Sequence, residues 1–156
     1  MADPVLLAEI ATGPIDGAGL LARVGRPADG AAILFEGRVR ETNGDREVRA
    51  LHYEAYDEMG RQELAAILRE TAGRFGVGRL GAIHRTGSLE IGEVSVAVAV
   101  AAPHRDQAFA ASRHIMDEIK RRLPIWKKEE YRDGTSRWLG GETGPAPGGE
   151  DRGGAG

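Results

Sequence analysis

The stretch "AAILFEGRVRETNGDREVRALHYEAY", residues 31–56, decides the fold class. "AAILFEGRVR" (31–40) reads as a strand with polar residues at its far end. "ETNGDRE" has turn chemistry, with Asn43 and Gly44 suited to positive φ. "VRALHYEAY" (48–56) then reads as a returning strand, so the spacing predicts a β-hairpin and with it an antiparallel sheet.

The neighbouring segments are of both kinds. Upstream, "VLLAEIA" (5–11) reads as a strand and "IDGAGLLARV" (15–24) as a short helix weakened by its glycines. Downstream, Leu64, Ile67, Leu68, Thr71 and Phe75 recur at helical spacing within 57–75, and Gly76 is a good stop for that helix. A strand is expected around Leu80–His84. In "VSVAVAV" (94–100) the valines take one face and Ser95, Ala97 and Ala99 the other, a face small enough to be covered as well. A long amphipathic helix over 104–123 is stopped by Pro124. "IWKKEEYR" reads as a strand, and "DG" at 133–134 turns it into "TSRW". Mixed helices and hairpins give an α+β fold with a largely antiparallel sheet. Residues 1–139 are expected to form one domain, and the Gly- and Pro-rich segment 140–156 to be disordered, with little to bury.

Composition excludes several classes of function. The chain has 156 residues and is 41% hydrophobic, enough for a single core. It has no cysteine, which removes disulfides, thiol catalysis and cysteine-ligated metals. The net charge of −3 and the 5% aromatic content argue against a nucleic-acid binder, even one using Trp126, Tyr131 and the arginines. No apolar run is long enough to span a membrane, and "MADPVLLAEIATG" lacks the basic start of a signal peptide, so a cytoplasmic address is expected. The four histidines show no close ligand spacing, and there is no HExxH, P-loop, GxGxxG or GxSxG; neither metal nor cofactor is expected.

Any anion site must therefore be local, and four places could build one. At about 100° per residue, Lys120 lies beside a stripe of Phe109, Ser112, Met116, Ile119 and Leu123, while Arg121 and Arg122 point away as solvated charges. Lys120 can be a snorkelling lysine or a partly desolvated amine suited to proton transfer. Strand alternation groups Lys127 with Ile125 and Glu129, opposite Trp126 and Lys128. Lys127 then guards a sheet edge or lines a pocket wall. "PHRD" (103–106) opens the long helix, where free N–H groups and Arg105 suit an anion and His104 can donate; it also reads as an ordinary helix start. "GRVR" (37–40) places Arg38 and Arg40 on one strand face, solvated or gripping a phosphate.

Taken in order, "ILFEGRVR", "LHYEAYDEM", "IHRTGSLEIGEVSVAVAV", "HRDQAF", "IMDEIKRRLPIWKKE" and "DGTSRW" resemble the large, catalytic subunit of molybdopterin synthase, the MoaE family. The likeness runs from about residue 5 to 139. It implies an α/β-hammerhead fold, a homodimer, and a small ubiquitin-like partner at each end of that dimer, giving a heterotetramer. It implies transfer of sulfur from a C-terminal Gly-Gly thiocarboxylate on that partner to cyclic pyranopterin monophosphate, forming the molybdopterin dithiolene. It further implies that Lys120 and Lys127 are catalytic. Arg38, Val39, Arg40, His104, Arg105, Lys127, Lys128 and Glu129 match the family's substrate-binding positions, which Lys120 joins. Pro103 before the His-Arg pair and Gly60 after Met59 depart from the family pattern. A rival reading is a non-catalytic module that only binds the tail of a ubiquitin-like protein.

Overall fold

The computed structural model describes residues 2–140. Its elements are β1 (Val5–Ala11), α1 (Gly17–Val24), β2 (Ala31–Arg38), β3 (Thr42–Asn43), β4 (Arg46–Ala55), α2 (Asp57–Phe75), β5 (Arg79–Arg85), β6 (Gly87–Glu90), β7 (Val94–Ala102), α3 (Arg105–Arg122), β8 (Ile125–Tyr131) and β9 (Ser136–Gly140). Apart from Gly140, the segment expected to be disordered lies outside the described residues. Among the described residues no helix is long and apolar enough to cross a membrane.

The strands form two sheets. The first has the order β1-β5-β7-β2, with β1 parallel to β5 and the other pairs antiparallel. β7 runs through its interior, and its alternation works as the sequence suggests except at Val94, which packs with the alanine face beside the register shift at Arg38. Val96, Val98 and Val100 enter a core with Leu64, Ile67 and Leu68 of α2 and Ile115 and Ile119 of α3. Ala97, Ala99 and Ala101 face Leu20 and Val24 of α1. Small residues on that second face let the short helix lie close to the sheet. The second sheet runs β3-β4-β8-β9, with β6 also paired to β4. Its core holds Val39, Val48, Leu51, Leu89 and Tyr131.

The expected hairpin between 31–40 and 48–56 does not form. β2 pairs with β7, and β4 pairs with β8 and β6 in the other sheet. The physical reason lies at Arg38, where the β2–β7 register shifts and the chain leaves the first sheet. Only a small hairpin survives, with Thr42 opposite Glu47 and Asn43 opposite Arg46 around Gly44 at φ 61°. Gly76 ends α2 in the left-handed region at φ 68°, as its position predicts. Gly87, at φ 91°, begins β6, which carries the chain into the second sheet; the sequence reading did not assign that short strand.

Helices α2 and α3 are fastened at both ends. Gln107 accepts from the His104 N–H at 3.1 Å and donates to the Phe75 carbonyl at 3.0 Å, joining the start of α3 to the end of α2. At the far end, Arg122 donates to Glu63 at 2.7 Å and to Glu70 at 2.6 Å. Arg122 is thus not the solvated charge expected from the helical wheel: its side chain is 20% exposed and clamps α3 to α2. The wheel places a residue relative to its own helix and is blind to acids on the neighbour. Arg121 matches expectation, being exposed and paired with Glu118 on its own helix. Phe109 does not match: assigned to the core stripe, it is 64% exposed.

Candidate functional site

Where the two sheets meet the C-terminal half of α3, a cavity of about 540 Å³ opens. β2 and the residues after it bring Arg38 and Arg40, α3 brings Lys120, and β8 brings Lys127 and Glu129. The strand alternation read from "IWKKE" is correct, since Ile125, Lys127 and Glu129 all line this space. Lys120 is exposed overall yet lines the same wall, one residue after the buried Ile119. Helical periodicity and strand periodicity thus converge on one cavity from separate elements.

Several arginines elsewhere in the molecule are fixed by acids. Arg26, Arg61, Arg85, Arg121 and Arg122 are each held by a carboxylate. Arg40, Lys120 and Lys127 form no hydrogen-bonded ion pair among the described residues. Arg38 has Glu36 at 2.9 Å, but its side chain is largely exposed. Lys127 has its pKa lowered below the usual lysine value, first by burial and then by the charges of Lys120 and Arg40, against the opposing pull of Glu129. Such an amine exchanges a proton more readily than a solvated lysine. Glu129 is buried, and its Oε1 accepts from Asn43 at 2.8 Å and from the Tyr131 hydroxyl at 2.9 Å. It is a fixed countercharge beside the lysine.

The cavity floor is neutral and was not picked out from sequence. The Ser95 hydroxyl donates to the Gly37 carbonyl at 3.2 Å, so its one hydrogen is used. The Tyr53 hydroxyl interacts with Ser95, and burial raises its pKa above the usual tyrosine value. The Ser95 bond ties β7 to β2, and Tyr53 brings β4 of the other sheet against it. That bond also ends beside Arg38, while Tyr53 stands directly opposite Lys127 in the β4–β8 register. Gly37 is required here, because a Cβ would come within 2.7 Å of Val96 Cγ1. His84 completes the floor, its ring edge-on to Tyr53 at 5.1 Å. The signal for Tyr53 and His84 was only their place on strands beside apolar neighbours, Leu51 and Ile83, which does not by itself separate a cavity wall from a core.

Four of the positions matched by resemblance lie elsewhere. Val39 is core, with its side chain 3% exposed, its N–H donating to Glu93 and its carbonyl accepting from Gly92. Lys128 faces the opposite side of the sheet, 5.9 Å over the Trp138 ring. His104 and Arg105 line a separate open recess with Gly30, Pro103 and Asp106. Arg105 and Lys120 stand at opposite ends of α3, about 22 Å apart at 1.5 Å per residue. Among the described residues, no group of three or more His, Cys, Asp or Glu side chains could hold a metal ion.

Comparison with known proteins fits this architecture. The family model described as MoaE protein matches residues 10–122. A molybdopterin synthase catalytic subunit of Oryza sativa subsp. indica is 44% identical over 132 residues, covering 85% of this chain and 68% of that protein. Among solved structures, molybdopterin synthase from Staphylococcus aureus superposes with a TM-score of 0.80 at 35% identity, over 85% of this chain and 96% of that one. The complex of subunits 1 and 2 of the molybdopterin-converting factor from Helicobacter pylori 26695 shares the fold, with a TM-score of 0.67 at 23% identity over 91% of this chain and 95% of that one. On this match and these relatives, the chain belongs to the MoaE protein family.

Proposed function

We propose that this chain is the catalytic subunit of a molybdopterin synthase and acts as a sulfurtransferase on cyclic pyranopterin monophosphate. The observation that carries the reading is the convergence of Arg40, Lys120 and Lys127, with the single buried countercharge of Glu129 beside Lys127, on one cavity of a chain whose net charge is −3. A phosphate ester needs such a local cluster. Sulfur transfer from a thiocarboxylate develops charge on oxygen and sulfur and requires protons for departing oxygens. Lys120 and Lys127 would steady that charge, and Lys127, with its lowered pKa, is the better placed to exchange a proton. Arg38 and Arg40 would hold the phosphate.

The sulfur would come from the Gly-Gly tail of a small ubiquitin-like subunit, since the chain has no cysteine of its own. The Helicobacter pylori complex of the two converting-factor subunits supports such a partnership. His104 and Arg105 enter the reading through a second copy. They cannot reach their own chain's cavity along α3, and a homodimer would present them from the partner. The exposed Phe109, one turn from Arg105, suits burial between copies.

The test is conversion of cyclic pyranopterin monophosphate by the purified chain with thiocarboxylated small subunit. Dithiolene should form with both present and with neither alone. Tight association with the small subunit without conversion would instead favour a module that only binds its tail.

A further inference from the structure

We propose that His84 is a specificity-determining residue, accepting a hydrogen bond at Nε2 from an N–H of the substrate's fused ring; this role rests on the function proposed above. The argument begins with the other ring nitrogen. His84 Nδ1 lies 2.8 Å from the Arg85 carbonyl oxygen, and a carbonyl can only accept. Nδ1 therefore carries the hydrogen, and a neutral ring leaves Nε2 with a bare lone pair. Burial keeps the ring neutral, holding its pKa down at about 4. The side chain is 7% exposed and lines the cavity, so Nε2 is the ring nitrogen left for a bound molecule.

The composition of the cavity gives that lone pair its importance. Arg38, Arg40, Lys120 and Lys127 can only donate. Ser95 donates its one hydrogen to Gly37, and Tyr53 interacts with Ser95. Glu129 has Oε1 occupied by Asn43 and Tyr131, and its charge lies beside Lys127. Thr42 is exposed at the rim. A ligand that is phosphate alone would be served by donors alone. A pterin also carries N–H donors on its ring, and a buried donor without an acceptor is penalised. His84 supplies that acceptor on the floor, where its ring packs edge-on against Tyr53. It thereby separates a phosphorylated amino-heterocycle from other phosphate esters, because sites built to hydrogen-bond an N–H discriminate strongly against ligands that lack it.

The decisive measurement is the 15N resonance of His84 Nε2 in the full-length wild-type chain. It should move when cyclic pyranopterin monophosphate is added and stay still with inorganic phosphate. Calorimetry on variants supplies the second readout. His84→Phe keeps the ring contact with Tyr53 and should weaken the pterin roughly tenfold or more while leaving inorganic phosphate unchanged. His84→Gln, with an amide oxygen near the Nε2 position, should recover part of the loss. If the pterin binds and Nε2 does not move, or if His84→Phe loses pterin and phosphate alike, this role is overturned and the proposed function survives. If the wild-type chain has no affinity for the pterin, both fall together.

Discussion

Lys120 and Lys127 reach one cavity from different elements, and their effects on each other can be measured. Replacing either with Ala should lower turnover on the order of 100-fold, the usual scale for losing a proton-transfer or oxyanion-stabilising group. Melting temperature should change little, since neither side chain is in the core. Lys→Arg should not restore turnover, because a guanidinium keeps its proton near neutral pH. The pH profile adds a signed test. Burial, Lys120 and Arg40 all favour the neutral form of Lys127, so the alkaline limb of the rate should fall below the usual lysine value of 10.5. Lys120→Met removes one of those cations and should move the limb upward in whatever activity remains. For folding, a depressed lysine pKa means the folded state binds fewer protons than the unfolded one between the two values, so Lys127 makes stability rise with pH there. The side each lysine faces was legible because each sits on a regular element whose period fixes it; that this side borders a cavity was not, since period alone left a snorkelling or edge-guarding lysine open. Val39 was not, because a family motif names a stretch of chain and not the direction of each side chain within it.

The joint between α2 and α3 depends on Arg122, whose pKa is raised by its bonds to Glu70 and Glu63. Arg122→Ala should destabilise the fold by about 1–3 kcal/mol, since it leaves two carboxylates facing a helix without their cation. Chemical denaturation should show a lower midpoint with an unchanged slope, and turnover well below the melting temperature should be close to normal. Arg121→Ala, losing only an exposed pair within one helix, should stay within about 0.5 kcal/mol of wild type. Such contacts between elements were the part of the fold that the sequence left hidden. Helix ends at Gly76 and Pro124, and the two faces of β7, follow from local chemistry and period. The partner of a strand does not: β2 and β4 flank a good turn, yet each pairs with a strand far along the chain. Local turn chemistry made the small β3–β4 hairpin, and long-range packing chose the sheets.

At the scale of the whole molecule, the separation of Arg105 from Lys120 becomes a prediction about assembly. The position of both on α3 was plain from the sequence, but a single helix cannot bring its two ends together, so a shared site would need a second copy. If each site combines Lys120 and Lys127 of one copy with His104 and Arg105 of another, two inactive variants should complement each other. Lys127→Ala loses the lysine half of the site, and Arg105→Ala loses the other half. In a mixed dimer one site carries both defects and the other carries none. Random exchange of equal amounts makes about half the dimers mixed, each with one whole site, so activity should recover to roughly a quarter of wild type. Turnover would be followed after the two variants are unfolded together and refolded, with each variant refolded alone as control. Recovery above the sum of the controls requires a site shared between copies. A mixture no better than that sum would place the whole site within one chain and remove His104 and Arg105 from it, since the cavity in a single chain does not contain them.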